Sequence, residues 1–196
     1  MSYVFVSIAE DKQRLRQQAR ARRAEANASL GKAAAAAAVA LFEKNINVPQ
    51  RATVAGYWPM RNELDVAPLL QTLAKMGHRI VLPVVDGPDT ALSFRVWKPG
   101  TVLLAGAGGT QHPAATAGTG TPSVMLVPLL AYDASGQRLG AGGGHYDRTV
   151  AALRAAGPLL VIGFAFSAQR VDTLPTEPWD LRLDWIVTER GAQKFT

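Results

Sequence analysis

The chain of 196 residues carries 21 Lys and Arg against 15 Asp and Glu, which gives a formal net charge of +6 at pH 7. Its length suits one domain, and 48% hydrophobic residues are enough to build a buried core. Because it contains no cysteine, disulfide bonds, thiolate zinc sites and cysteine nucleophiles are excluded. The positive charge favours anionic partners, which include nucleic acid, membrane surfaces and polyphosphate ligands.

The lack of cysteine fits a reducing compartment, and we expect a cytoplasmic protein. Residues 1–9 are apolar, but they lack a cationic start and run directly into charged residues, which argues against a signal peptide. No segment approaches the roughly 20 apolar residues that a membrane-spanning helix needs. We therefore expect no membrane partner.

Two helices are predicted near the start of the chain. Residues 10–27 combine strong helix formers with small or apolar side chains spaced for one face, and residues 31–44 contain a run of alanines. Such small side chains favour close packing against a neighbouring element. Six Lys and Arg lie within residues 12–23 with no aromatic residue among them, so stacking on single-stranded bases is poorly supported.

From residue 52 onward, the pattern predicts strands that alternate with helices. The strands are predicted at 52–58, 79–85, 92–97, 123–130, 159–166 and 184–188, and the helices at 66–76 and 146–156. This alternation indicates an α/β fold with a mostly parallel, Rossmann-like sheet flanked by helices in three layers. We expect residues 1–196 to form a single domain, with the helical pair at about 10–46 packed on it.

Residues 98–122 are rich in Gly, Ala, Thr and Pro. They predict a loop that is too long for an ordinary connection between strands. Loops of this length are usually functional covers or partly disordered segments.

The segment with the strongest chemical signature follows the predicted strand 123–130. It reads RLGAGGGHYDR at 138–148, with four glycines in the five positions 140–144, and a predicted helix follows. Glycine leaves backbone N–H groups unobstructed, and N–H groups that lead into a helix N-terminus attract phosphate. The segment lacks both the P-loop signature and the acidic residue of a dinucleotide fingerprint, so a simple tight turn is an equal alternative.

Four segments in the same order resemble the 5-formyltetrahydrofolate cyclo-ligase family, also called methenyltetrahydrofolate synthetases. They are KQRLR at 12–16, GYWPMRNELDVAPLL at 56–70, VPLLAYDASGQRLGAGGGHYDR at 127–148 and WDLRLDWIVTE at 179–189. The resemblance implies an ATP- and Mg²⁺-dependent ligase that closes 5-formyltetrahydrofolate to 5,10-methenyltetrahydrofolate and releases ADP and phosphate. The implied partners are ATP and the folate, with or without a polyglutamate tail; we expect no nucleic acid, and we expect a monomer.

The resemblance assigns ATP to residues on both sides of the glycines. Lys12 and Arg16 would contact phosphates from one helix face, although a solvated basic stripe is the alternative. Arg138, Tyr146 and Asp147 would be the catalytic residues. The implied ATP site comprises Lys12, Arg16, Arg138, Gly140, Ala141, Gly142, Gly143, Gly144, His145 and Tyr146.

The resemblance also implies that Asp147 and Asp184 hold Mg²⁺, an ion that binds nucleotide phosphates through one or two carboxylates and water. Alternatively, Asp147 complements a helix dipole and Asp184 is a turn residue before a strand. Asp133 and Asp180 are weaker candidates for the metal site, and a turn and a cap are their more ordinary roles.

On the folate side, the resemblance places the carboxylate of Glu63 against the paired N–H donors of the pterin ring. Tyr57 and Trp58, together with Tyr146, would pack on the flat rings of the substrate. Core aromatics at a strand end are the equal alternative for Tyr57 and Trp58. His145 replaces a tyrosine common in the family, and it is either a proton shuttle or, more simply, a packing or hydrogen-bonding group.

Two other functions remain open. Ala141 and His145 depart from residues common in the family, which allows a non-catalytic module that binds nucleotide or folate. The arginine cluster at 12–23 allows an RNA-binding protein, whose affinity would depend steeply on salt. The four ordered matches favour the enzyme over both alternatives.

Overall fold

The computed structural model describes residues 7–196. Residues 1–6, on which the argument against a signal peptide rests, lie outside the described residues. The first helix, α1 (Ile8–Asn45), begins after Ser7, whose side chain accepts a hydrogen bond from the N–H of Glu10. The Glu10 carboxylate accepts the Ser7 N–H in return, so two N–H groups at the helix start are satisfied.

The two predicted helices correspond to one helical segment that is interrupted at Gly31. The backbone there adopts φ 44° and ψ −131°, a conformation that glycine tolerates and side chains with a Cβ rarely adopt. We refer to residues 8–30 as the N-terminal half of α1 and to residues 32–45 as its C-terminal half.

The remaining helices and strands follow in chain order. They are β1 (Thr53–Ala55), α2 (Ala67–Lys75), β2 (Arg79–Val84), β3 (Ser93–Trp97), β4 (Leu103–Ala105), β5 (Gln111–Pro113), β6 (Val124–Val127), β7 (Ala131–Tyr132), β8 (Arg138–Leu139), α3 (His145–Ala156), β9 (Leu160–Phe164), β10 (Trp185–Val187) and β11 (Ala192–Lys194). Seven strands form one sheet in the order β11-β10-β9-β6-β1-β2-β3. Its five inner strands pair in parallel and its two edge strands are antiparallel, which confirms the predicted mostly parallel α/β sheet.

Both faces of the sheet are covered by apolar side chains. Strand β6 shows this directly, since Val124 and Leu126 belong to one buried cluster and Met125 and Val127 to the other. A continuous apolar run of this kind is typical of a parallel strand that is buried on both faces. Within residues 7–196, no helix has the length and apolar character needed to cross a membrane.

The structure differs from the expectation for residues 98–122, which contain the antiparallel hairpin of β4 and β5. The segment after this hairpin is tied to the sheet, because the Arg95 guanidinium donates to the carbonyl oxygens of Ala115 and Ala117 at 2.6 and 3.3 Å. The segment is therefore ordered, and the tip of the hairpin lies beside the cleft described below.

Strands β1 and β6 are neighbours at which the strand order reverses, because β2 lies outward from β1 and β9 lies outward from β6. Ligands of such sheets bind beyond the carboxyl ends of the strands at this switch point. The segment 56–63 follows β1, and the hairpin of β7 and β8 that leads into the glycines follows β6.

Candidate active site

A cleft of about 1450 Å³ opens at this switch point. Its walls come from the N-terminal half of α1, residues 57–63, the tip of the β4–β5 hairpin, residues 138–154 and residues 177–182. This volume exceeds the roughly 300–1,000 Å³ of a typical pocket for one small ligand, so the cleft has room for two. Nine lining residues are Lys or Arg and five are Asp or Glu, which favours anionic ligands.

The glycine loop, residues 140–144, depends on glycine for both its conformation and its packing. Gly142 and Gly144 have φ angles of 111° and 65°, which other residues avoid. A Cβ on Gly140 would lie 2.6 Å from a guanidinium nitrogen of Arg138. Gly144 provides no side chain to cap α3, so the first N–H groups of that helix are available to an anion.

Arg138 is buried beneath the glycine loop. One terminal nitrogen donates to the Pro128 carbonyl oxygen at 2.9 Å, while another lies 3.8 Å from the Asp147 carboxylate. The guanidinium lies over the Tyr146 ring, 5.4 Å from its centroid, and the Nε atom is buried without a partner. Burial lowers the pKa of Arg138 and Asp147 opposes that shift, but arginine keeps its charge in proteins. Arg138 therefore supplies a fixed positive charge under the loop.

Lys12 and Arg16 both face the cleft. Arg16 donates from Nε to the Gly140 carbonyl oxygen at 3.1 Å, and its guanidinium carbon would lie 3.3 Å from a Cβ on Gly142. Lys12 is only 6% exposed, so it is not part of a solvated stripe. The structure thus brings these two predicted phosphate contacts to the loop and to the neighbouring cleft wall.

Lys12 is held by two carboxylates, those of Glu177 and Asp180, at 2.7 and 2.6 Å from Nζ. Burial disfavours the charged form of Lys12, but the hydrogen bonds that Lys12 donates to Asp180 and Glu177, together with their negative charges, outweigh this effect and raise the pKa of Lys12. Lys12 therefore remains charged and holds the segment 177–180 against α1.

The two predicted metal ligands lie in different surroundings. Asp147 lines the cleft and accepts the N–H of Leu181 at 2.9 Å. Asp184 does not line the cleft. Its carboxylate accepts hydrogen bonds from the Arg154 guanidinium at 3.0 Å and from the Val161 N–H at 2.7 Å. The structure therefore does not bring Asp184 to Asp147.

Asp180, ranked lower from sequence, does line the cleft next to the Asp147–Leu181 contact. One of its oxygens accepts the N–H of Glu177 at 2.7 Å, so it also has the predicted capping role. Asp133 forms a turn, since it accepts the N–H groups of Ser135 and Gln137 and is 3% exposed.

Asp147 and Asp180 both line the cleft, and Oδ2 of Asp180 already accepts hydrogen bonds from Lys12 and Glu177, which leaves its Oδ1 for an ion that arrives with a nucleotide. No group of three or more His, Cys, Asp or Glu in residues 7–196 could hold a metal ion by itself. Mg²⁺ bound to phosphates needs only one or two carboxylates and completes its shell with water and phosphate oxygens. The donor set in the cleft matches that requirement.

Glu63 follows β1 and contacts the N-terminal half of α1 near its C-terminal end, through Arg23. Its side chain is largely buried. Its carboxylate accepts the Arg23 guanidinium at 3.1 Å and the Met60 N–H at 3.0 Å. Burial raises the pKa of Glu63, whereas the Met60 hydrogen bond and the Arg23 charge oppose that shift. Sequence reasoning missed Arg23, although it follows Lys12, Arg16 and Arg20 at helical spacing on one face.

Of the two aromatic residues after β1, only Trp58 is partly exposed. Tyr57 is 3% exposed, and its hydroxyl is 3.3 Å from the carbonyl oxygens of Leu64 and Phe164. Tyr57 is therefore packed as a core aromatic that also forms part of the cleft wall. Trp58 lies 6.0 Å from Trp97, ring centroid to centroid, and lines the cleft.

His145 makes a hydrogen-bonding contact, since its Nδ1 atom lies 2.8 Å from the Thr90 carbonyl oxygen. The same neighbouring segment is fixed by Leu92, whose N–H donates to the Thr149 hydroxyl at 2.8 Å. Residues 90–92 thus hold the start of α3. Ala141 is exposed on the glycine loop.

The chain is similar to known proteins of one family. A model of the 5-formyltetrahydrofolate cyclo-ligase family matches residues 8–189. The chain is 36% identical to the 5-formyltetrahydrofolate cyclo-ligase of Mycolicibacterium smegmatis over 147 residues, which cover 70% of this chain and 74% of that protein. It is also 36% identical to the enzyme of the same name from Escherichia coli K12 over 142 residues, 69% of this chain and 77% of that protein.

Two solved structures have the same fold. The NMR structure of Aquifex aeolicus 5,10-methenyltetrahydrofolate synthetase has a TM-score of 0.77 at 27% identity, and the match covers 93% of this chain and 92% of that one. The 5,10-methenyltetrahydrofolate synthetase of Mycoplasma pneumoniae has a TM-score of 0.70 at 26% identity, with 91% and 99% covered. All four segments that carry the sequence resemblance lie within the matched residues 8–189, and the chain belongs to the 5-formyltetrahydrofolate cyclo-ligase family.

Proposed function

We propose that this protein catalyses the ATP-dependent closure of 5-formyltetrahydrofolate to 5,10-methenyltetrahydrofolate, with release of ADP and phosphate. The observation that carries the proposal is that one helix joins two sites in one cleft. Arg16 contacts the glycine loop, and Arg23 on the same helix contacts the buried carboxylate of Glu63. A phosphate site and a carboxylate suited to a pterin therefore face the same space. The names of the matched relatives describe this reaction.

The glycine loop and the start of α3 would bind the phosphates of ATP. The glycines carry no side chains that would cover the N–H groups, and Arg16 and Arg138 add positive charge beside the loop. Donors that the fold holds in position need not reorganise when charge develops on the transferred phosphoryl group.

Glu63 would bind the folate by accepting hydrogen bonds from the paired N–H groups of the pterin. Arg23 and the Met60 N–H hold the carboxylate in place, and Trp58 offers part of a flat ring to the substrate. Tyr57 would act indirectly, as packing within this wall.

The chemistry needs positioning more than a protein nucleophile. The formyl oxygen attacks the γ-phosphorus and ADP departs. N10 then attacks the activated formyl carbon and loses its proton to the phosphate group or to water, and the former formyl oxygen leaves as part of inorganic phosphate. Holding both substrates in one cleft makes each attack effectively intramolecular. The complete absence of cysteine is compatible with this route.

We propose Asp147 and Asp180 as the residues that would hold Mg²⁺, in place of the pair Asp147 and Asp184. The position of Asp180 on the cleft wall, which Asp184 does not line, supports this choice. Oδ1 of Asp180 would bind the ion, because Oδ2 accepts hydrogen bonds from Lys12 and Glu177. The ion would supply further neutralisation of phosphate charge when bound. We also propose that the protein is a cytoplasmic monomer. Arg20 and Arg61 line the cleft and are exposed, so they would offer positive charge to a polyglutamate tail on the folate.

The test is the near-ultraviolet absorbance of the purified protein with 5-formyltetrahydrofolate and Mg²⁺, recorded before and after ATP is added. Closure creates a conjugated chromophore, so we expect a rise that requires ATP. Asp147→Asn should abolish most of the rise, whereas the control Asp172→Asn, an exposed acid outside the cleft, should not. A flat trace from folded wild-type protein would instead support a binding module without turnover.

A further inference from the structure

Trp179 is an aromatic side chain that the fold leaves uncovered on the cleft wall. It is 68% exposed and lines the cleft, whereas Trp97 is buried and Trp58 and Trp185 are partly buried. A tryptophan normally buries most of its large apolar surface. Its exposure within a ligand cleft indicates that a ligand covers it.

The turn that carries Trp179 is fixed on both sides. The N–H of Asp180 donates to the Glu177 carbonyl oxygen at 3.0 Å, and the N–H of Glu177 donates to the Asp180 carboxylate at 2.7 Å. Lys12 joins the two side chains to α1 at 2.7 and 2.6 Å. The turn that carries the indole is therefore held in place before a ligand arrives, which reduces the entropic cost of binding.

Contacts of α1 give the order of the sites along the cleft. Lys12 contacts the turn at 177–180, Arg16 contacts the glycine loop, and Arg23 contacts Glu63. Arg23 lies eleven residues after Lys12, which corresponds to about 17 Å along the helix. The glycine loop thus lies between Trp179 on one side and Glu63 on the other.

We propose that Trp179 stacks on the adenine ring of ATP. This inference rests on the proposed function, which places the phosphates at the glycine loop and the pterin at Glu63. With the reacting phosphate directed toward the folate, the nucleoside extends the opposite way, toward the turn at 177–180. An indole face matches a purine face in size, and such stacking is largely independent of the hydrogen-bonding groups on the base.

The experiment compares the affinities for ATP and for inorganic tripolyphosphate in the presence of Mg²⁺, measured by calorimetric titration. Tripolyphosphate has the same phosphate chain and no base, so it serves as the control ligand. Trp179→Ala should weaken ATP binding about 5- to 100-fold and change tripolyphosphate binding by less than about twofold. Trp179→Phe should retain most of the ATP affinity because it keeps an aromatic face. Thermal melting should be unchanged in both variants, since the side chain is exposed.

An equal loss of both ligands in Trp179→Ala would overturn the inference, because it would mean that the turn and not the indole was disturbed. Wild-type protein that binds ATP no better than tripolyphosphate would overturn it as well. The absorbance test reports separately on the reaction. A preference for ATP that depends on Trp179, combined with a flat absorbance trace, would reject the proposed reaction and keep the nucleotide site.

Discussion

The two halves of α1 have similar helix-forming composition and different surroundings. The N-terminal half, residues 8–30, lies along the cleft and makes its contacts through Lys12, Arg16 and Arg23. The C-terminal half, residues 32–45, packs on the main hydrophobic cluster through Ala34, Ala35, Ala38 and Phe42. Helix propensity therefore predicts that both halves are helical. The elements that each half packs against determine whether its side chains face the cleft or the hydrophobic core.

We therefore expect substitutions in the two halves to affect different properties of the protein. The N-terminal half contributes charges that face a cleft, so its exposed or half-buried cations should affect ligand binding more than stability. The C-terminal half contributes apolar burial, so substitutions there should affect stability more than binding. Gly31 separates the two halves; in the N-terminal half, Ala26 also packs on the main hydrophobic cluster and Ala19 on a smaller one.

The largest effect is expected in the C-terminal half. Ala38→Asp places a carboxylate at a position that is 0% exposed, with no partner to neutralise it. We expect the free energy of unfolding to fall by about 4 kcal/mol or more, as measured by denaturant titration. The exposed neighbour Ala36 provides the matched control, and Ala36→Asp should cost about 1 kcal/mol or less. Similar losses in both variants would show that helix propensity and not burial dominates.

A smaller effect, on catalysis, is expected in the N-terminal half. Arg16→Ala removes a hydrogen bond to the Gly140 carbonyl oxygen and a positive charge beside the glycine loop. We expect kcat/KM for ATP to fall about 10- to 100-fold, with little change in melting temperature. Arg14→Ala is the control, because the Arg14 side chain is 67% exposed and, among residues 7–196, forms an ion pair with Asp11 alone. An equal decline in both variants would mean that bulk charge, and not the loop contact, matters.

The smallest effect is expected in the pH dependence of folate binding at Glu63, the residue that Arg23 contacts. Because burial raises the pKa of Glu63, its carboxylate takes up a proton at a higher pH than an exposed glutamate does. Folate affinity should therefore fall as pH is lowered through this raised pKa, since the protonated acid accepts pterin N–H groups less well. Binding titrations of Glu63→Gln should show weaker binding at neutral pH and no such pH dependence.

Glu25→Gln is the control for that measurement, because Glu25 is an exposed glutamate on α1, the helix that carries Arg23. It should keep the pH dependence of the wild type. A Glu63→Gln variant with undiminished folate affinity would remove Glu63 from the substrate site.

The inner sheet was predictable from sequence because its signal is local. Strands such as β6 and β9 are apolar runs, and apolar runs bounded by turns indicate buried strands. The hairpin of β4 and β5 was missed, because each strand has only three residues in a segment rich in glycine. Its pairing depends on contacts with the neighbouring strands β2 and β3, which no local pattern reports.

The candidate site divides in the same way. The glycine loop was recognisable because its backbone requires glycine at neighbouring positions. The different surroundings of Asp180 and Asp184 could not be recognised from the sequence, because they depend on partners far away along the chain. Asp180 is 168 residues from Lys12, and Asp184 is satisfied by Arg154 and by a backbone N–H of β9. Arg23 and Glu63, 40 residues apart, were missed as a pair for the same reason.

The contact between Lys12 and the turn at 177–180 also bears on how the protein is made. It joins residues separated by 165 and 168 positions, so the cleft is incomplete until residue 180 has left the ribosome. At roughly 5–20 residues per second, α1 is synthesised on the order of ten seconds before its last partner emerges. A nascent chain can form its first helix and the strands up to β9 in that time, but it can complete the cleft only after residues 177–180 have emerged.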